Sequence, residues 1–451
     1  MPDARAAYEA RCRRLQQALQ HEGAAPPLGL ARTTSNLFRD RHEPHKRRLD
    51  LGAFDHVLGI DADAGWVDTE AAIDYEALAD ATLAHRMVPA VVPELKSITV
   101  GGAIAGVGIE ASSFRHGLVH ETVLDFDVLL PDGRIVTCAP DNEASDLFFG
   151  IANSYGTLGY LLRARLRTVP AGAGVAIEHR RTHGMEAFLA DLDRACADAA
   201  AQFVDGVVFA HDDMVLTVAA FRDTVPRVSD YSFEHAYHAS LRARPQDWLT
   251  ARDWLWRWDT DWFWCSRQLG ADRDWVRRLL GPKRLNSRTY TRWMRWNARL
   301  GLTRRLARLG GMRHVESVIQ DVVVPRAEVA GFVDFLLAEI GVLPIWICPL
   351  RPAESGRVFP LFPLPAGVAH VNVGFWGTVQ RREAHPAGHF NRLVERQAIA
   401  CGALKSLYSE AYFDRATFDA LYGGEAYAAL RAKYDPQQRL LDLYAKCVKG
   451  A

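Results

Sequence analysis

The feature that most constrains this chain is a stretch of small residues, Ser97-Ile98-Thr99-Val100-Gly101-Gly102-Ala103-Ile104-Ala105-Gly106-Val107-Gly108-Ile109-Glu110-Ala111-Ser112-Ser113, closed by Gly117. Gly106-x-Gly108-x-x-Ala111 formally matches a dinucleotide fingerprint, and Asp127 stands roughly where the ribose-binding acid belongs. That fingerprint works only where a helix opens at the third small residue and aims its N-terminus at a pyrophosphate. Here Ser112–Gly117 reads as a turn, and a strand begins near residue 123, so no crossover helix fits. A doubly wound nucleotide fold is excluded. The run either brings backbone N–H groups up to a bulky anionic ligand or forms a tight packed turn, and the residues leave both open.

Around this segment the hydrophobic period changes. Residues 4–20 place Tyr8, Cys12, Leu15 and Leu19 at helical spacing, and 75–86 repeat the pattern with Tyr75, Leu78, Ala79, Thr82 and Leu83. From 97 to 170 the period is two: Leu124, Phe126, Val128 and Leu130 share one face, with Asp125 and Asp127 opposite. Pro131-Asp132-Gly133 turns the chain back through Arg134–Cys138, and Leu162, Ala164 and Leu166 alternate with Arg163, Arg165 and Arg167. Pro170-Ala171-Gly172-Ala173-Gly174 reads as a boundary. Beyond it, strands are predicted at 203–209, 214–220, 318–325, 344–350 and 369–376, separated by helical stretches. The last 45 residues are helical in pattern, broken at Asp435-Pro436.

Composition removes several classes. Lys+Arg and Asp+Glu balance at 54 each, so no net field draws the chain to nucleic acid. Seven scattered cysteines with no C-x-x-C pair argue against a disulfide framework or zinc site and for a reducing compartment. The charged N-terminus and the lack of a long apolar helix predict a cytoplasmic protein without a transmembrane segment, or one peripheral to the inner face of the membrane.

Several blocks in order carry a resemblance: Val92-Pro93-Glu94-Leu95, Thr99-Val100-Gly101-Gly102, Gly108–Ser113, Pro131-Asp132-Gly133, Asp146-Leu147-Phe148, Gly156-Thr157-Leu158-Gly159, Gln320-Asp321, Val324-Pro325, Pro344–Pro349 and Leu407-Tyr408. Together they resemble the flavin domain of vanillyl-alcohol-oxidase/PCMH-type FAD enzymes and, within that superfamily, the 24-dehydrocholesterol reductase (seladin) group. The resemblance implies an α+β fold: a PCMH-type FAD-binding domain of two α+β subdomains over 1–172, then an antiparallel-sheet substrate domain over 173–404 carrying a Trp/Arg-rich helical insertion. A C-terminal segment over 405–451 returns to the FAD domain.

Carried over by position, it implies that Thr99, Val100, Gly101, Gly102, Gly106, Gly108, Ser112 and Ser113 line the pyrophosphate and ribityl chain, with Gly117 closing the turn. Gly156, Thr157 and Gly159 bring backbone against the flavin. Thr33, Thr34, Ser35 and Asn36 stand where many members carry a glycine-rich phosphate loop. Hydroxyl and amide donors replace glycines there, and no histidine or cysteine offers a linkage, so the FAD is expected to be non-covalent. No separate nucleotide domain is present, so NADPH as electron donor has to bind transiently at the flavin.

Nine of the twelve tryptophans lie between Trp248 and Trp296, and from Arg273 to Arg313 thirteen Arg or Lys face a single acid, Asp274. Residues 248–313 are therefore expected either to dock on an anionic membrane or to form a Trp-rich core with a solvated basic face, the first being preferred. A nucleic-acid role ranks well behind.

Reducing an isolated lipid C=C requires a protonated acid or phenol in a dry pocket, with hydride coming from flavin N5. Glu110, Tyr408, Glu410 and Tyr412 are the candidates for that proton, the last three alternating as on a strand; Glu316, Gln320, Trp346 and Asn372 are candidates to face the substrate. The expected activity is that of an FAD-dependent oxidoreductase on a CH–CH bond of a lipid. A methylene-branched or unsaturated fatty acyl chain is preferred to a sterol, and the reverse desaturation stays open. The rivals are a delta-24 sterol reductase, an FAD-dependent sugar or polyol oxidase, and a membrane-bound interaction protein with vestigial flavin. Oligomeric state and metal are not indicated.

Overall fold

The computed structural model describes residues 2–20, 28–31, 47–233, 235–354 and 356–449. Thr33, Thr34, Ser35 and Asn36 fall outside them. The first strands, β1 (Leu28–Leu30) and β2 (Arg47–Leu49), form a small parallel pair. β3 (Val57–Asp61), β4 (Trp66–Glu70), β5 (Met87–Pro89), β6 (Val123–Leu129), β7 (Ile135–Cys138) and β8 (Tyr160–Pro170) form a six-stranded antiparallel sheet in the order β3-β4-β8-β6-β7, with β5 on β8. The chain then crosses residues 171–173 into a second sheet.

That sheet contains β9 (Gly174–Thr182), β10 (Phe203–Ala210), β11 (Asp213–Arg222), β12 (Gln246–Thr250), β13 (His314–Pro325), β14 (Ile345–Leu350), β15 (His370–Arg381) and β16 (Leu404–Lys405). All its pairings are antiparallel, in the order β12-β9-β11-β10-β14-β15-β13-β16. The fold is α+β.

Helix α1 (Pro2–Gln20) lies on the outer face of the first sheet, where Tyr8, Cys12 and Leu19 pack with Leu129, Tyr160 and Leu162. This position buries part of the polar face of β8. Arg163 is only 2% exposed and is held by Asp68 and Asp125, so strand alternation alone misplaces it in solvent. Tyr8 donates to Asp127 at 2.7 Å.

Helix α2 (Tyr75–Leu83) is capped by Asp74. Val100–Ala105 forms α3, capped by Thr99, whose Oγ1 accepts from the Gly102 N–H. The small-residue segment therefore includes a short helix, a third outcome beside the two expected from sequence. No crossover helix follows, because β6 starts at Val123.

One hydrophobic core spans both sheets. It joins Val67, Ile104, Val128 and Leu161 to Val175, Phe203, Trp346 and Val323, and then to Leu407, Tyr422, Leu430 and Cys447 of the tail. A second core lies on the far side of the larger sheet, under the helices Met185–Ala197, Val329–Phe335 and His389–Ala400.

Candidate active site

The larger sheet sorts its side chains by parity. On β13, Val318, Val322 and Val324 enter the far core, whereas Val323 enters the core shared with the first sheet. The register Asp321↔Gly374 and Cys348↔Asn372 brings Asp321, Asn372, Trp376, Trp346 and Cys348 to the shared face. Glu316 and Gln320 have the opposite parity. Glu316 accepts from the Asn391 backbone and side chain at 2.8 and 2.7 Å, and Gln320 donates to Asn391 Oδ1 at 2.6 Å, so both serve the helix layer. Of the four substrate-facing candidates, Trp346 and Asn372 lie on the shared face, and Glu316 and Gln320 turn away from it.

On the shared face a buried carboxyl is held by three side chains in sequence. Asn372 Nδ2 donates to Asp321 Oδ1 at 2.7 Å, Tyr408 Oη donates to Asp321 Oδ2 at 2.7 Å, and Trp376 Nε1 donates to Tyr408 Oη at 2.9 Å. Burial raises the Asp321 pKa to about 6, against the two hydrogen bonds that stabilise its anion. Burial, and then the Asp321 carboxylate, push the Tyr408 phenol well above its usual value. Asp321 is 8% exposed, and Tyr408 and Trp376 are half-buried. The network thus runs from a buried acid outward to a phenol.

An aromatic wall surrounds it. Phe263 lies 4.7 Å from Trp376 and 5.3 Å from Trp346, and Trp264 lies 5.7 Å from Trp376. Trp262, Phe263 and Trp264 all adopt left-handed backbone (φ 48°, 48° and 58°). Such a conformation costs a non-glycine residue roughly 1–2 kcal/mol, and three in succession persist only where packing fixes them. Trp258, buried and 5.0 Å from Phe263, supplies that packing. The Trp-rich stretch therefore divides: Trp254–Trp264 is core, while Trp275 and Trp296 stay exposed.

From the first sheet, the loop after Ile151 approaches the same region. Asn153, Tyr155 and Gly156 have positive φ, Tyr155 N donates to Ala105 O at 3.1 Å, and Tyr155 Oη donates to Gly106 O at 3.4 Å. Lys446 of the tail donates to the Tyr155 carbonyl. Asn153 Oδ1 and Ser154 Oγ on this loop are buried without a hydrogen-bond partner, as are the indole N–H groups of Trp254, Trp256, Trp258 and Trp264.

Glycine packing shows which part of the small-residue segment is open. A Cβ on Gly108 would meet Val119, Pro93 and Ala103 within 3.2 Å, and one on Gly101 would meet Ala71; on Gly117 it would strike the Glu121 carboxylate. On Gly102 it would meet only Thr99 Oγ1, at 3.0 Å. Gly102 is exposed, and Thr99, Gly106 and Ile109 are half-buried. An open small-residue edge, unpartnered buried acceptors on the facing loop and apolar walls suit a flavin nucleotide, which is part heteroatom-rich and part apolar. The residues fit FAD, and those that would hold it are Thr99, Gly102, Gly106 and Asn153–Gly156.

The other predicted residues lie as follows. Val100 is core. Ser112 Oγ donates to Ala90 O, and Ser113 Oγ accepts from Glu110 N, so both hydroxyls point into the protein. Thr157 Oγ1 bonds Ser154 O, and a Cβ on Gly159 would strike Val128, so both shape the turn. Glu110 is buried and accepts from the Ser112 N–H at 2.8 Å; Arg257 lies 3.3 Å from it, 2.7 Å from Glu94 and 3.1 Å from Asp205. Burial raises Glu110, opposed by Arg257. Glu110 thus belongs to an ion cluster apart from Tyr408.

Residues 404–412 do not form the continuous strand that their alternation suggests: β16 ends at Lys405, and Tyr408 sits in a turn. Tyr412 Oη donates to Glu410 Oε2 at 2.6 Å, and Glu410 also pairs with Lys449 at 2.8 Å. Asp321, at the centre of the network, is the residue that sequence reasoning passed over.

A family model described as FAD binding domain matches residues 33–139. These residues make a PCMH-type FAD-binding domain, and the chain is an FAD-dependent oxidoreductase. It is 27% identical to the Delta(24)-sterol reductase of Homo sapiens over 377 residues, 80% of this chain and 70% of that protein. To the Delta(24)-sterol reductase of Arabidopsis thaliana it is 25% identical over 445 residues, 89% and 76% of the two chains. A shorter match, 33% over 132 residues, joins it to cytokinin dehydrogenase 7 of Oryza sativa subsp. japonica, covering 28% of this chain and 25% of that one.

Proposed function

We propose that this enzyme reduces a carbon–carbon double bond in a lipid, with Tyr408 as the proton donor and Asp321 as its reservoir. The observation that carries the reading is the Asp321–Tyr408–Trp376 network, which places an acid of pKa about 6 behind a half-buried phenol in an aromatic wall. FAD, when bound and reduced, supplies the hydride.

The chain's own residues supply the rest. A protonated Asp321 donates to Tyr408 Oη, which turns the Tyr408 proton outward toward an alkene carbon; Trp376 Nε1 and Asn372 Nδ2 hold the two oxygens in place. Protonation leaves positive charge on the neighbouring carbon. The faces of Trp376, Phe263 and Trp346 are suited to stabilise it, while their bulk excludes water. In the reverse direction the same pair accepts the proton. The second sheet, from residue 173 to 404, forms the substrate side, and the segment from 405 onward carries Tyr408 to it.

The FAD is held without a covalent bond, because neither 33–36 nor 97–113 contains a histidine or cysteine. Acid precipitation should release it into the supernatant. NADPH binding transiently at the flavin completes the proposed cycle.

A branched or unsaturated fatty acyl chain is one substrate reading; the names of the relatives favour a second, a sterol side-chain alkene. The test is anaerobic. Dithionite-reduced enzyme should regain its oxidised visible spectrum on addition of an unsaturated lipid, with the lipid gaining two hydrogens. Both should be deuterium when reduction and reaction run in D2O, because the flavin N5 hydrogen and the acidic proton both exchange with solvent. Failure of every unsaturated acyl and sterol lipid to reoxidise it, with sugars or polyols bleaching the oxidised form instead, would overturn the reading.

A further inference from the structure

Amphipathic helices of this protein normally turn their apolar stripe inward. In His389–Ala400 the buried positions include Phe390, Val394 and Ala398. The helix Leu302–Leu309 does the opposite. Leu302, Leu306 and Leu309 fall at i, i+4 and i+7 and make one stripe. They are 42%, 60% and 86% exposed, and the only buried residue of the helix is Ala307. At 100° per residue Ala307 lies roughly 130° around the helix from that stripe, so the leucine face points away from the body of the protein.

The preceding helix, Ser287–Leu300, adds exposed Trp296 and Leu300 at i and i+4 and joins the first at Gly301. Seven of the thirteen large apolar side chains exposed among the described residues fall between Trp275 and Leu309. Single exposed leucines need no explanation, but a concentration of this kind does.

The charge around it is equally one-sided. No Asp or Glu occurs between Asp274 and Glu316, and that interval holds twelve Arg or Lys in a chain of zero net charge. Arg305 borders the leucine stripe, Arg308 and Arg304 lie further round the same helix, and all three are exposed. A second copy of this surface would meet like charge. A nucleic acid would satisfy the arginines and leave the leucines against phosphate, since leucine offers no stacking face. The headgroup region of an anionic bilayer satisfies both: apolar side chains and an indole enter the acyl boundary while the cations meet lipid phosphates.

We propose that the helix pair of residues 287–309 docks the enzyme on the surface of an anionic phospholipid bilayer, through Trp296, Leu300, Leu302, Leu306 and Leu309, with Arg304, Arg305 and Arg308 supplying positive charge beside them. This deepens the lipid-substrate reading and rests on it only for its purpose, to bring the enzyme to where such a substrate dissolves. Among the described residues no helix is long and apolar enough to cross a membrane, so attachment through this helix pair is in-plane.

The test is flotation of the FAD-loaded full chain with vesicles of phosphatidylcholine alone, or of phosphatidylcholine mixed with phosphatidylglycerol. The protein should float with the mixed vesicles only, and high salt should release it. The triple variant Arg304→Gln/Arg305→Gln/Arg308→Gln should bind roughly a hundredfold more weakly, from about a factor of five per lost cation. Leu302→Ser/Leu306→Ser/Leu309→Ser should lose flotation as well. Both variants should keep the flavin spectrum, the melting temperature and the turnover of substrate presented in cyclodextrin, while losing turnover of substrate embedded in vesicles. The proposal is overturned by equal flotation with neutral vesicles, by undiminished flotation of both variants, or by a lipid-free dimer that the leucine variant dissolves. Flotation without reduction of any lipid would leave the docking surface standing and remove the proposed function.

Discussion

At the scale of single residues, the decisive group is Asp321. Burial holds its pKa near 6 in the folded chain, whereas an unfolded aspartate ionises near 3.8. The folded state therefore keeps this proton to higher pH, and stability falls as pH rises through the interval from about 4 to 6, then levels off. The difference between the folded and unfolded acid amounts to on the order of 2–3 kcal/mol. Asp321→Asn, whose amide can still bond both Asn372 and Tyr408, should thus raise the urea midpoint above pH 6 while lowering kcat by about 10²–10⁴. A variant no more stable than the parent at pH 8 would refute the buried charge. Wild-type reduction should lose rate above pH 6, and Tyr408→Phe should abolish that limb together with most of the rate.

Arg257 makes a second residue-scale case. It is fully buried against Glu94, Glu110 and Asp205 and stacks 3.7 Å from the Trp254 ring. Removing it strands carboxylates in the core, so Arg257→Ala should cost about 3–5 kcal/mol in a denaturant titration. Burial pushes Glu94 well above its usual value, opposed by Arg257 2.7 Å away. Glu94→Gln keeps an acceptor for Arg257 and leaves two carboxylates beside it, so it should cost less than about 1 kcal/mol, and a similar loss from both variants would contradict Arg257 as the shared partner of the cluster.

At the scale of elements, the small-residue segment separates packing from ligand contact. Gly108→Ala drives a methyl into Val119, Pro93 and Ala103 and should destabilise by about 1–3 kcal/mol, whether or not FAD is present. Gly102→Ala adds its methyl on the open edge of α3. Alanine's helix propensity offsets the contact with Thr99, so the apoprotein should change by less than about 1 kcal/mol, while FAD affinity measured by fluorescence quenching should fall at least about tenfold. If both variants bind FAD as the parent does, the cofactor does not lie along that edge.

Elements also show what the sequence made legible. The β6–β7 hairpin and β8 were readable because one face is apolar and the other polar, with Pro131-Asp132-Gly133 between them. β13 was not readable in the same way. Val318, Val322 and Val324 on one face and Val323 on the other make both faces apolar, so nothing in the string says whether Gln320 or its neighbour Asp321 faces the cofactor side. Only the pairing with β15 settles that parity. Gln320-Asp321 and Leu407-Tyr408 both stand in the family pattern, but the hydrogen bond between Asp321 and Tyr408 was not legible, because the two lie 87 residues apart. The Trp-rich stretch was ambiguous for a related reason: composition does not show that Trp254–Trp264 turn inward while Trp275 and Trp296 stay out.

At the scale of the whole molecule, the shared core decides how the protein comes apart. It runs from β4 and α3 through Trp254–Trp264 and Trp346 to Tyr434 and Cys447, so neither sheet keeps its apolar face covered once the other leaves. Two-sheet chains often melt in steps when the interface between them is small and polar. Here the tryptophans at the junction report on the interface, and far-UV circular dichroism reports on all strands. The two signals should fall together in one thermal transition. At the proposed site FAD would bridge the same junction, with the α3 edge and the loop at Asn153 on one side and the tryptophan wall on the other. At a hundred times its Kd it should add about 2.7 kcal/mol and raise both midpoints equally, by a few degrees. Separate melting of the tryptophan signal and the strand signal, or an FAD effect on only one of them, would mean that the site is built on one sheet alone and that Asp321 and Tyr408 do not face the flavin.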